Sequence, residues 1–110
     1  MNLLERQFPI DDQNKTLKLR TASDFAQHLN IHVNHLNRAV KSIEKKPTSV
    51  IISERLLKES KRLLEYKYWN ISEIAYALGF KEVSHFNYFF KKHTDKNPTQ
   101  FRKSHIKEKI

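Results

Sequence analysis

With 110 residues, a formal net charge of +9 and 30% charged residues, the chain is one domain, or two very small ones, with a basic surface and not a disordered polycation. That balance favours an acidic partner, nucleic acid ahead of a membrane surface. The absence of cysteine excludes a disulfide framework and the common structural zinc sites, and neither a signal peptide nor an apolar run of the roughly 20 residues that span a bilayer is present. A soluble, unsecreted protein that works inside the cell, with no cofactor, is expected.

In chain order, residues 2–7 can form a turn or two of helix, but Pro9 and the run Asp11, Asp12, Gln13, Asn14 break it. Residues 1–16 therefore read as an N-terminal arm or the remnant of a linker.

From Thr21 the pattern sharpens. Thr21 with Asp24 resembles a capping box ahead of the apolar run Phe25, Ala26 and Leu29, so a helix of about eight residues starts there. It stops at Asn30, a residue tolerant of the left-handed conformation, and Ile31 follows as an apolar plug. The next helix begins at His32 or Val33 and turns Leu36, Val40 and Ile43 inward, while Asn34, Asn37, Arg38 and Lys41 line the opposite face. Residues 17–46 thus form a helix-turn-helix unit. Pro47 or Thr48 opens a long helix over residues 47–67, with Ile52, Leu56, Leu57, Ser60, Leu63 and Leu64 inward and Lys58, Lys61, Arg62 and Lys67 expected as solvated charges. Roughly eighteen helical residues at 1.5 Å each span about 27 Å, near the ~34 Å between successive major grooves on one face of DNA.

Residues 68–110 repeat the first unit and add a closing helix. Ile74, Ala75 and Leu78 form one apolar stripe and Phe86, Phe90 and His93 another, on either side of Gly79, the single glycine of the chain, with Phe80 as the plug. An ordinary helical hairpin has the same pattern, so this stretch alone does not decide. The internal alignment does. Ala26, Leu29, Asn30 and Ile31 match Ala75, Leu78, Gly79 and Phe80 at an offset of 49, and His35, Leu36, Val40 and Lys41 match His85, Phe86, Phe90 and Lys91 at an offset of 50. The Thr21/Asp24 pair matches Asn70/Glu73, and the second turn is one residue longer. Pro98 then starts a last helix through Phe101, followed by a basic tail, residues 103–110, expected to fray. The fold class is all-α, two helix-turn-helix subdomains joined by a long linker helix, about seven helices in all.

The polar stripes are the candidate functional surface. Asn34, Asn37 and Arg38 on the first reading helix and Ser84, Asn87 and Tyr88 on the second are side chains of the kind that meet base edges, with His85 beside them. Lys41 and Lys91, further along each helix, and the helix starts at Thr21 and Asn70 suit phosphate contacts. His28, His32 and His35 have a metal-like spacing, but the turn at Asn30 divides them and no carboxylate or cysteine completes a site. No nucleophile–base pair, phosphate-cradling loop or carboxylate pair stands out, so no enzymatic activity is expected. A basic helical module binding an acidic protein or RNA is the alternative.

The stretches TASDFAQHLNIHVNHLNRAVK and NISEIAYALGF with SHFNYFFKKHTDKNPTQFRK resemble the two helix-turn-helix units of AraC/XylS-type transcriptional regulators, over about residues 17–104. The resemblance implies a bacterial, nucleoid-associated regulator that binds double-stranded DNA in adjacent major grooves, with base contacts from Asn34, Asn37, Arg38, Ser84, His85, Asn87 and Tyr88. It leaves RNA polymerase open as a further partner and implies a sensing and dimerising domain N-terminal to this one. Three departures stand against the family pattern. Tyr88 occupies a position where many relatives carry arginine, Lys45 and Asp95 replace glycine after each reading helix, and His32 and Lys81 replace Ser or Asp caps.

Overall fold

The computed structural model describes residues 2–66 and 68–109, and the side chains of residues 3–66 and 68–105. Its helical periods resolve into α1 (Asn2–Glu5), α2 (Ala22–Leu29), α3 (Val33–Glu44), α4 (Thr48–Tyr66), α5 (Ile71–Ala77), α6 (Val83–Thr94) and α7 (Pro98–Lys109), with no strand among the described residues. α2 and α5 both begin on reciprocal capping boxes. The Thr21 hydroxyl accepts from the Asp24 amide at 3.0 Å while the Asp24 carboxylate accepts from Thr21 N–H at 3.1 Å, and Asn70 and Glu73 repeat the exchange at 2.8 Å each way. Asn97 and Gln100 form a third such pair at the start of α7.

α4 is the spine. It packs against α2 and α3 on one side and α5, α6 and α7 on the other, and its buried residues Ile52, Leu56, Leu63 and Leu64 run along its length. Phe25, Ala26, Leu36 and Val40 from the first unit and Ile74, Ala75, Leu78, Phe86 and Phe90 from the second join them in one apolar cluster. The second unit is richer in rings. Phe80–Phe86 and Phe80–Phe89 lie 5.4 Å apart between centroids, and Phe90–Phe101 5.2 Å, a chain of tilted and edge contacts that adds to plain area burial. The molecule is elongated, 47 × 28 × 23 Å.

Several expectations change in three dimensions. The N-terminal segment is no free arm, since Leu4 is 2% and Ile10 7% exposed. Glu59 on α4, itself buried, accepts the Ile10 amide at 2.7 Å, and Arg62 donates to the Ile10 carbonyl at 2.8 Å and to Glu59 at 2.7 Å. Arg62 is therefore not a solvated charge; with Arg55, 3.5 Å from the other oxygen of the same carboxylate, it neutralises the buried Glu59. Arg55 adds an ion pair with Glu5 at 2.8 Å and lies over the Phe8 ring at 4.0 Å. Lys67 lies outside the described residues.

Leu29 and Ile31 at the first corner stay partly in solvent, and Ile43 is 77% exposed where α3 runs on past Val40, its last buried residue. His93 is exposed as well, its ring set 4.9 Å from Phe89 while Phe90 and Phe101 fill the interior. α7 extends well beyond Phe101, to Lys109, and Arg102 fixes it by donating to the backbone carbonyls of Leu64 at 3.0 Å and Trp69 at 2.7 Å.

Candidate nucleic-acid interface

The two corners match bond for bond. At the first, Asn30 adopts φ 57° and the Ile31 and Asn30 amides donate to Ala26 and Gln27 carbonyls at 3.0 and 3.1 Å. At the second, Gly79 adopts φ 87° and the Phe80 and Gly79 amides donate to Ala75 and Tyr76 at 2.9 Å each. Each corner is a left-handed residue at the helix end with the paired bonds of a Schellman motif, which turns the chain sharply while satisfying the last carbonyls. After each matched corner a helix follows, α3 three residues beyond Asn30 and α6 four beyond Gly79.

On α3, Asn34, Asn37, Arg38 and Lys41 are all exposed along one stripe. On α6, Ser84, His85, Tyr88 and Lys91 are exposed and Asn87 is half-buried at the edge of its stripe. Tyr88 is 71% exposed, a large ring left on the surface of a helix whose phenylalanine rings are buried or half-buried. Lys41 lies in the last turn of α3, and Lys91, Lys92 and His93 in the last turn of α6, where positive charge also complements the helix dipole. The side chains of Thr21 and Asn70 are committed to their capping boxes, with the Asp24 and Glu73 carboxylates beside them. Burial disfavours the Asp24 carboxylate, but hydrogen bonds from the Arg20 and Thr21 amides outweigh it and hold its pKa below the ordinary value.

The two reading helices open differently. His32 is the N-cap of α3, and its Nδ1 accepts from the Asn34 amide at 3.1 Å, so the imidazole replaces the usual hydroxyl or carboxylate. It is thereby engaged in structure, and no group of residues among those described is arranged to hold a metal ion. On α6 the cap is Glu82 and not Lys81, and it makes no side-chain cap bond. Its carboxylate instead lies 3.4 Å from the Ser84 hydroxyl and 3.6 Å from His85 Nε2. Glu82 is a member of this surface that the spacing argument passed over, although an acidic residue one position before the helix was visible in the sequence.

Arg20 is the other omission. Its amide donates to the Asp24 carboxylate at 3.0 Å, its Nε donates to the Leu78 carbonyl at 2.9 Å, and its guanidinium lies 4.6 Å from the Phe80 ring centre. No sequence period marks it, because its side-chain partners Leu78 and Phe80 are 58 and 60 residues away.

Residues 25–104 match the model of a helix-turn-helix domain family. The chain is 30% identical over 100 residues to histidine kinase P4 of Formosa agariphila, covering 91% of this chain and 7% of that protein. The C-terminal domain of the two-component response regulator yesN from Fusobacterium nucleatum superimposes with a TM-score of 0.73 at 25% identity, over 92% of this chain and 91% of that one. The C-terminal domain of AraT, a response regulator from Geobacillus stearothermophilus, gives 0.72 at 21% identity, over 94% and 86%, a likeness of fold. A regulator with an AraC-type DNA-binding domain from Chromobacterium violaceum gives 0.64 at 24% identity, over 77% and 76%.

Proposed function

The chain belongs to the AraC-type helix-turn-helix family of DNA-binding regulator domains, and from that premise we propose that it reads a specific double-stranded site with α3 and α6 in successive major grooves. The observation that supports this most is the pair of matched corners, each followed by a helix with an exposed polar stripe. Arg38 is suited to bidentate contact with guanine, Asn34 and Asn37 to adenine, and Ser84, His85, Asn87 and Tyr88 to a second box read by smaller or ring contacts. Lys41 and Lys91 grip phosphate, and at Thr21 and Asn70 the first-turn amides, not the cap side chains, take that role.

The chain spans 7% of the length of the kinase it matches, and the response-regulator relatives are C-terminal domains. We propose accordingly that it is the output domain of a longer bacterial signalling protein, working on the chromosome in the cytoplasm. No helix among the described residues is long and apolar enough to cross a membrane. Selection from a random pool of duplex DNA tests the reading. The expected result is an asymmetric motif of two boxes about one helical turn apart. Recovery of no motif, or of a single box, overturns it.

A further inference from the structure

We propose that the segment of residues 16–20, clasped onto the end of α5 through Arg20, sets the spacing at which α3 and α6 can engage DNA together; this rests on the two-groove reading above. The last carbonyls of a helix have no partner within it and must find one elsewhere. At the end of α5 three consecutive ones, those of residues 76–78, are capped by residues 16–20. Thr16 Oγ1 donates to Tyr76 O at 2.7 Å, the Leu17 amide to Ala77 O at 2.9 Å, and Arg20 Nε to Leu78 O at 2.9 Å.

The same segment enters α2 directly, because the Arg20 amide is bound to Asp24 in the first turn of that helix. One residue thus fixes the start of the first unit with its backbone and the end of a second-unit helix with its side chain. The repeat is asymmetric here: Leu78 is 0% exposed and its carbonyl accepts from Arg20, whereas Leu29, its counterpart on α2, is 47% exposed.

Gly79 belongs to the clasp too. A side chain there would run into Arg20 Cδ, with Nε 2.7 Å from the added carbon and Leu17 O 3.0 Å away, so the single glycine makes room for the crossing as well as for the turn.

Without the clasp the units are joined through α4, and apolar packing between them is incomplete. A groove of about 240 Å³, lined by Arg20, Thr21, Ile52, Phe80 and Phe89, opens beside the Arg20–Phe80 contact. One tie leaves freedom to rotate; a second removes it. Inserting one base pair between two boxes turns one of them by about 35° around the duplex, a displacement that a rigid pair of helices cannot follow.

The absence of native cysteine allows a clean test. Spin labels at Ser42→Cys and Lys92→Cys, exposed positions on α3 and α6, should report one narrow distance in the otherwise unaltered protein and a broad one once Arg20→Ala is added. On selected DNA, a one-base-pair insertion should weaken binding about tenfold or more for the unaltered protein and about threefold or less for Arg20→Ala, as the lost rigidity lets the second box be followed. Thr16→Val, which removes a single exposed bond, should move both readings in the same direction by less, and it decides the matter if Arg20→Ala does not fold. A two-box motif whose spacing tolerance and label distances are the same in both variants overturns the clasp alone. A pool that yields no two-box motif overturns the two-groove reading and the spacing role with it.

Discussion

Arg38 shows what one residue on this surface can do. It is exposed in the middle of the α3 stripe, with Asn34 one turn before it and Lys41 three residues after. A guanidinium forked onto a guanine edge discriminates by ~1–3 kcal/mol, so Arg38→Ala should weaken cognate binding by that much and relax the preference at one base pair, as a competition titration against substituted duplexes would show. Equal loss on every sequence would make Arg38 a phosphate contact. The residues after the reading helices make a different point. Lys45 and Asp95 adopt φ 63° and 65°, so both keep the left-handed cap with a side chain that disfavours it. Lys45→Gly should therefore raise stability by ~0.5–1 kcal/mol, seen as a rise of a few degrees in Tm. Its one side-chain bond, to the Ser42 carbonyl, is exposed and contributes little. No rise would mean that the cap is not strained.

At the scale of elements, α4 does more than span a distance. Its 19 residues give about 28 Å of rod, and the face turned to the N-terminal segment carries Arg55, Glu59 and Arg62. Burial works against the Glu59 carboxylate, yet the Arg62 hydrogen bond, the Ile10 amide and the charges of Arg62 and Arg55 together depress its pKa. A depressed carboxylate stabilises the fold fully above its unfolded value, about 4.3, and that contribution is lost as pH falls through the lower folded value. Glu59→Gln should cost ~1–3 kcal/mol at neutral pH, since the neutral amide leaves Arg62 and Arg55 less well paired. It should also flatten the acid limb of a stability profile below about pH 4, measured by urea unfolding at a series of pH values. An unchanged acid limb would place that titration elsewhere.

For the whole molecule the governing quantity is charge. A formal +9 on an elongated body supplies the sequence-independent part of DNA binding, and each phosphate neutralised should add about −0.9 to the slope of log K against log salt. Lys91→Ala should make that slope shallower by about 1 and weaken binding nearly equally on all sequences, which separates it from Arg38→Ala. Binding whose strength is indifferent to salt would point to an acidic protein surface over a nucleic-acid backbone.

Local chemistry was enough to specify most of the fold. The capping pairs at Thr21 and Asn70, the corners at Asn30 and Gly79, and the α4 stripe through Ile52, Leu56 and Leu63 were all legible, because caps, left-handed turns and helical periods act between residues at most a few positions apart. The exposed stripes on α3 and α6 follow from the same periods, and the internal repeat pairs them. What tertiary structure alone decided concerns partners distant in the chain. Ile10 is buried because Glu59 and Arg62, about 50 residues on, satisfy its peptide. The Leu78 carbonyl is capped by Arg20, 58 residues earlier in the chain, a bond that no local pattern announces. Gly79, legible as a corner, is also required by an arginine 59 residues earlier. No periodicity encodes such pairs, since a hydrogen bond between distant segments depends on where the packed helices bring them, and that is settled only when the core forms.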